Sequence, residues 1–165
     1  MRTRTSLLRR LRLSEAGVTT LEVAFGLPVL LLLIFAVAEL GYNVFARTTV
    51  EKAAQVGARF AVTGQGYDQG NRLTLIQDAA RKMADVLTGG NPANKSVTVT
   101  VSSYDKGNTS SSPVLNSAGV PCDAVEVRVD YTYAPLTPFA GPLLPATMTV
   151  TGKERMINEP WVACQ

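Results

Sequence analysis

The sequence predicts an α+β fold. It has a long N-terminal transmembrane helix that continues as a packing spine, a second helix, and a small three-stranded, mostly antiparallel sheet. Three observations predict it. Val23 to Phe45 is apolar or small except for Glu39 and Asn43, and as a helix it spans about 35 Å against a hydrocarbon core of about 30 Å. Helical spacing then carries on to Ala61, and a second apolar stripe follows between 72 and 87. Beyond residue 95 the apolar positions alternate with hydroxyls and charges at the strand period.

Residues 1–17 form a basic leader with no core of its own. The chain carries 16 basic and 13 acidic residues, a formal net charge of +3, and a pI near 9.0. That balance is a terminal tag: setting aside Arg2, Arg4, Arg9, Arg10, Arg12 and Glu15 leaves 11 basic and 12 acidic residues from Val18 onward. No basic patch is left for nucleic acid to read. Arginine on one flank of an apolar helix is instead the positive-inside signal, placing the N-terminus in the cytoplasm and the chain beyond residue 46 outside.

Residues 18–46 are the membrane helix, with Pro28 inside it, where proline bends a spanning helix more readily than it ends one. Its charge-free part, Val23 to Ala38, reaches only about 24 Å, which puts Glu39 at or inside the far interface. Glu22 stands at the near end, where a carboxylate costs up to about 2.5–3.5 kcal/mol at mid-bilayer and less toward the surface. Two readings fit Glu39: a carboxylate in interfacial water, or one paired with a partner or an arginine such as Arg47. Residues 47–63 continue the helix with a face of Ala53, Ala54, Gly57, Ala58 and Ala61. That face suits close packing against the protein's own sheet, or a seam between subunits.

The exported part, 47–165, holds the rest. Gly64 to Gly70 is a polar turn, and Asn71 is placed to cap a helix over Arg72–Leu87, which Gly89-Gly90-Asn91-Pro92 stops. Strands are expected over Ser96–Ser103, Ala124–Tyr133 and Thr147–Arg155, with Met148 and Val150 inward in the last. Ser102 to Pro121 reads as a long exposed loop, and Pro135 to Pro145 as a proline-rich connector carrying Phe139, Leu143 and Leu144. The outer half of the first helix is the natural cover for the sheet. The only cysteines, Cys122 and Cys164, fall in the exported part, where a pair reads as one disulfide. Two isolated thiols in a chain without histidine are a poor metal set.

Several tracts together resemble the TadE-like pseudopilins, the minor pilins of the tight-adherence (Tad or Flp) pilus. They are Gly17-V-T-T-L-Glu22, then Leu27-Pro28 and Glu39-Leu-Gly41, then Ala53-Ala54-Gln-Val-Gly57-Ala58-Arg59, and finally Tyr131-T-Tyr133-A-Pro135 and Lys153-Glu-Arg155-Met156. The resemblance implies a pilin-like fold. It also implies cutting after Gly17 by a prepilin peptidase, so that Val18 becomes the first residue and Glu22 the fifth. It further implies a single-pass protein of the bacterial inner membrane with a periplasmic domain. Its partners would be other pilins or pseudopilins and the inner-membrane platform proteins. Beside the resemblance stands a physical case: the new α-ammonium at Val18 lies one turn from Glu22. In a stack of helices one subunit's glutamate can neutralise its neighbour's terminus.

Two other readings stay open. One is an unprocessed, membrane-anchored periplasmic binding domain. The other is a secreted domain beginning at Glu39, since Ala36-Val37-Ala38 follows an apolar core as a signal-peptidase site does. No catalytic or cofactor reading emerges: there is no histidine, no nucleophile elbow, no phosphate loop and no acid pair in an apolar setting.

Overall fold

The computed structural model describes residues 5–90, 96–108, 110–136 and 145–164, with side chains from Gly17 onward. The expected connector residues Phe139, Leu143 and Leu144, and the Asn91-Pro92 stop, lie outside the described residues. The chain divides into two compact units, Met1–Gly41 and Tyr42–Gln165.

Helix α1 runs Thr5–Val62 with Pro28 inside it. It begins well before Val18, because the leader is rich in leucine and arginine, both strong helix formers, and holds no breaker ahead of Gly17. In the first unit almost every side chain from Gly17 on is exposed, Phe25 at 76% and Val37 at 70% among them. The most apolar window of Gly17–Val62 has a mean hydropathy of 2.5, enough for one membrane crossing by length and composition. A bare surface of that kind has to be covered by lipid or by protein.

In the second unit α1 turns one small-residue face inward. Ala46, Val50, Ala53, Ala54, Ala58 and Ala61 are all fully buried, in one core with Ile76, Ala80, Val125, Val127 and Val129. Packing against its own sheet and second helix is therefore what the alanine–glycine face does. Approach is close enough that glycine is demanded twice. A Cβ added at Gly57 would meet Val127 Cγ1 at 3.0 Å and Ala80 Cβ at 3.1 Å. One added at Gly152 would run into the backbone of Val50 and Glu51.

A turn over 63–70 leads to α2, Arg72–Thr88. Asn71 stands at the N-cap position but makes no side-chain capping bond. It is tied into the turn through its backbone, which accepts from Leu75 at 3.1 Å and donates to Gly66 O at 3.2 Å. Gly89, left-handed at φ 66, ends the helix, and its N–H and that of Gly90 both reach Asp85 O.

Among the described residues the sheet has four strands where three were expected. Its order is β2-β1-β3-β4, antiparallel throughout. β1 is Val97–Tyr104, β3 is Ala124–Tyr133 and β4 is Met148–Ile157. The added β2, Val114–Leu115, lies in the expected loop and pairs with Ser103 and Ser102. Two residues are too few to show alternation, and the Ser/Gly/Asn-rich flanks of β2 mask it further. The alternation in β3 is translated faithfully. Val125, Val127, Val129, Tyr131 and Tyr133 are buried toward the helices, while Arg128 and Thr132 are exposed on the open face. That open face carries Arg155 bonded to Glu126 at 2.6 Å and to Tyr104 Oη at 2.9 Å, and Arg128 bonded to Asp130.

Candidate functional site

Gly17 and Val18 are neighbours in α1 and Glu22 lies about one turn on, with Val18 and Glu22 four apart on one face. All three are exposed. Among the described residues nothing requires glycine at 17: its φ is not in the left-handed region, and an added Cβ would meet none of their atoms within 4 Å. Yet glycine inside a helix costs roughly 1 kcal/mol relative to alanine. Pro28 sits farther along the same exposed stretch, and Glu39 is only 8% exposed. Arg47, one of the partners considered for Glu39, pairs with Glu51 at 3.3 Å.

Among the residues singled out in the sequence, the pair brought together is Cys122 and Cys164, joined as a disulfide with Cα atoms 5.8 Å apart. The bond pins the C-terminal tail beside a polar hub that sequence reasoning missed. Arg72, 5% exposed, donates to Gly119 O at 2.6 Å, to Ala61 O at 2.7 Å and to Asn158 Oδ1 at 2.9 Å. Its guanidinium lies 4.6 Å from the centre of the Trp161 ring. Asn158, 2% exposed, donates from Nδ2 to Ala118 O at 3.0 Å and to Val120 O at 2.9 Å. The hub closes the C-terminal end of α1 against α2, the loop before β3 and the tail. Burial lowers the Arg72 pKa from its ordinary value, with Tyr67 and Asp123 pulling the other way. It stays charged at any physiological pH. One signal was in the sequence: an arginine in the first turn of a helix opposes the helix dipole and calls for a compensating partner.

A second cluster lies at the other end of the sheet. Tyr42 and Tyr131 hydroxyls are 2.8 Å apart, Tyr131 donates to Leu87 O at 3.3 Å, and Asn43 Nδ2 donates to Tyr133 Oη at 3.0 Å. Desolvation and the bond with Tyr42 raise the Tyr131 pKa above its ordinary value. Among the described residues, no group of three or more His, Cys, Asp or Glu side chains is placed to hold a metal ion.

A long apolar N-terminal helix, a second helix and a small antiparallel sheet define an α+β protein that has, among the described residues, one helix long and apolar enough to cross a membrane. Within that class, residues 17–59 match the family model described as TadE-like protein. The match opens at Gly17 and runs through Glu22, Pro28, Glu39 and the buried alanine–glycine face. No curated protein and no solved structure matches the chain.

Proposed function

We propose that the chain is a pseudopilin, or minor pilin, that takes part in assembling a tight-adherence pilus. In this reading residues 1–17 are a leader removed by a prepilin peptidase after Gly17, residues 18–46 anchor the product in the inner membrane, and 47–165 form the exported domain. Val18 and Glu22 supply the ammonium and carboxylate that set register between neighbouring helices. Glu39 and Pro28 shape the surface offered to pilin helices or platform proteins. The chain is then a substrate of an enzyme and not itself one.

The observation that carries this reading is the family match over residues 17–59. A glycine at position 17 with no packing or backbone reason among the described residues supports it, since a protease subsite that admits only glycine accounts for the residue. Mass spectrometry of the N-terminus, on protein extracted from membranes of cells carrying the whole assembly locus, tests it. A chain starting at Val18 is expected. Met1 would leave a plain anchored domain and Glu39 a secreted one. Replacing Gly17 with leucine is expected to block trimming without preventing insertion; normal trimming of that variant would refute the peptidase reading.

A further inference from the structure

β4 forms one edge of the sheet, and the hydrogen-bond parity says which of its backbone groups are unused. Antiparallel partners alternate between pairs that exchange both bonds and pairs that exchange none. Asn158 N–H reaches Asp123 O at 2.8 Å, in the register that aligns Ala124 with Ile157. Residues 156, 154, 152, 150 and 148 therefore bond to β3, while Thr149, Thr151, Lys153, Arg155 and Ile157 turn N–H and C=O outward. Among the described residues no strand pairs with that side. The opposite edge is guarded: β2 covers Ser102 and Ser103, and Gln77 Nε2 donates to Val99 O at 3.5 Å.

We propose that the free edge of β4 is a docking site for an extended segment of another protein, added to the sheet as a fifth, alternating apolar and acidic strand. The five outward residues are also the open-face residues of β4, so their side chains select the occupant. Lys153 is exposed and Arg155 lies one step along, and together they call for carboxylates opposite. β3 already sets Glu126 against Arg155 from the inner side at 2.6 Å. The alternate residues of the added strand fall on the helix face, beside Met148 and Met156, which pack against the core, and are apolar. A second copy of this chain does not fit. Pairing β4 with β4 about Gly152 would bring two α1 backbones over strands about 4.8 Å apart, where packed helices need roughly 8–10 Å. Registers centred on residues 153–155 set lysine and arginine against each other, and those centred on 150–151 leave Lys153 opposite a threonine with no carboxylate. The same cations that keep a second copy away attract an acidic strand.

The test is amide hydrogen exchange on the full chain in detergent, with and without a synthetic peptide alternating valine with glutamate and threonine. A peptide of the same composition in scrambled order is the control. In the chain alone the amides of Thr149, Thr151, Lys153 and Arg155 are expected to exchange fast, and those of Val150, Gly152 and Glu154 slowly. The alternating peptide slows the outward set by at least roughly tenfold, as added ladder bonds do. Thr151→Pro removes an outward N–H that the native sheet does not use, so the chain folds and the protection disappears. Lys153→Glu leaves the backbone intact and weakens the peptide's Kd by roughly tenfold, the scale of a lost charge-assisted contact. Outward amides already slow in the chain alone would show the edge covered by the chain itself and overturn the proposal. So would outward amides that stay fast with the peptide, equal protection by the scrambled peptide, or undiminished binding in both variants.

Discussion

Alanine at position 152 puts the helix-on-sheet contact under the sharpest strain. The added Cβ would lie 2.5 Å from Val50 O and closer still to Val50 C and Glu51 N. All three are backbone atoms of α1, so no rotamer change relieves the overlap, and the helix must lift by about 1 Å to restore ordinary contact. Overpacking of this kind costs roughly 1–3 kcal/mol, and the absence of any yielding side chain places Gly152→Ala near the upper end. For a chain of this size that lowers Tm by about 6–12 °C. Gly57→Ala meets Val127 Cγ1 at 3.0 Å, which can turn aside, and Ala80 Cβ at 3.1 Å, which moves only if α2 gives slightly, so about 1 kcal/mol is expected. Gly41→Ala meets nothing within 4 Å and should gain about 0.5–1 kcal/mol from helix propensity. Circular dichroism melts of the three variants in one detergent give the ranking. If Gly152→Ala melts with the parent, α1 does not lie on β4 and the packing argument is wrong.

Two further predictions concern the polar clusters. Arg72→Met leaves three buried acceptors without their donor, at about 1–3 kcal/mol each. Part of that is returned because a charge no longer has to be buried, so the net loss should be about 2–4 kcal/mol. Trp161, the only tryptophan, should then show red-shifted fluorescence and the 63–70 turn faster proteolysis; unchanged spectra and cleavage would remove Arg72 as the clasp. Tyr131 has a folded pKa above its ordinary value of about 10. Its contribution is therefore complete below about pH 10 and is lost as pH rises beyond it. Denaturant midpoints should fall from about pH 10 upward, and less steeply in Tyr131→Phe; parallel curves would mean Tyr131 is not the group responsible.

Much of the fold was legible because it is written in periods. The span of β3 follows from five inward residues alternating over Ala124–Tyr133, and α2 from a stripe interrupted at Gly89. The N-terminus of α1 was misplaced because Gly17 and the change from basic to apolar look like a boundary, whereas backbone propensity ignores that change. β2 was missed because pairing partners, not its own two residues, make it a strand. Of the candidate sites, the cysteine pairing was readable from the presence of just two cysteines and no histidine. The Arg72–Asn158–Trp161 hub was not, since its members are 86 residues apart at the Arg72–Asn158 bond and meet only through the topology. The tyrosine cluster was hidden similarly: Tyr131 and Tyr133 read as inward strand residues, and nothing local says that Tyr42 and Asn43 wait for their hydroxyls.

The disulfide closes a loop of sequence separation 42 that contains all of β3 and β4. Tension applied to the N-terminal part of α1 enters the second unit at Tyr42. The helix side meets the sheet at Val50, Ala53, Ala54, Ala58 and Gly57 together, so the force shears many small contacts at once instead of unzipping them singly. If they yield, the two longest strands remain leashed to each other by sulfur, and the domain can recoil to its starting register when the tension drops.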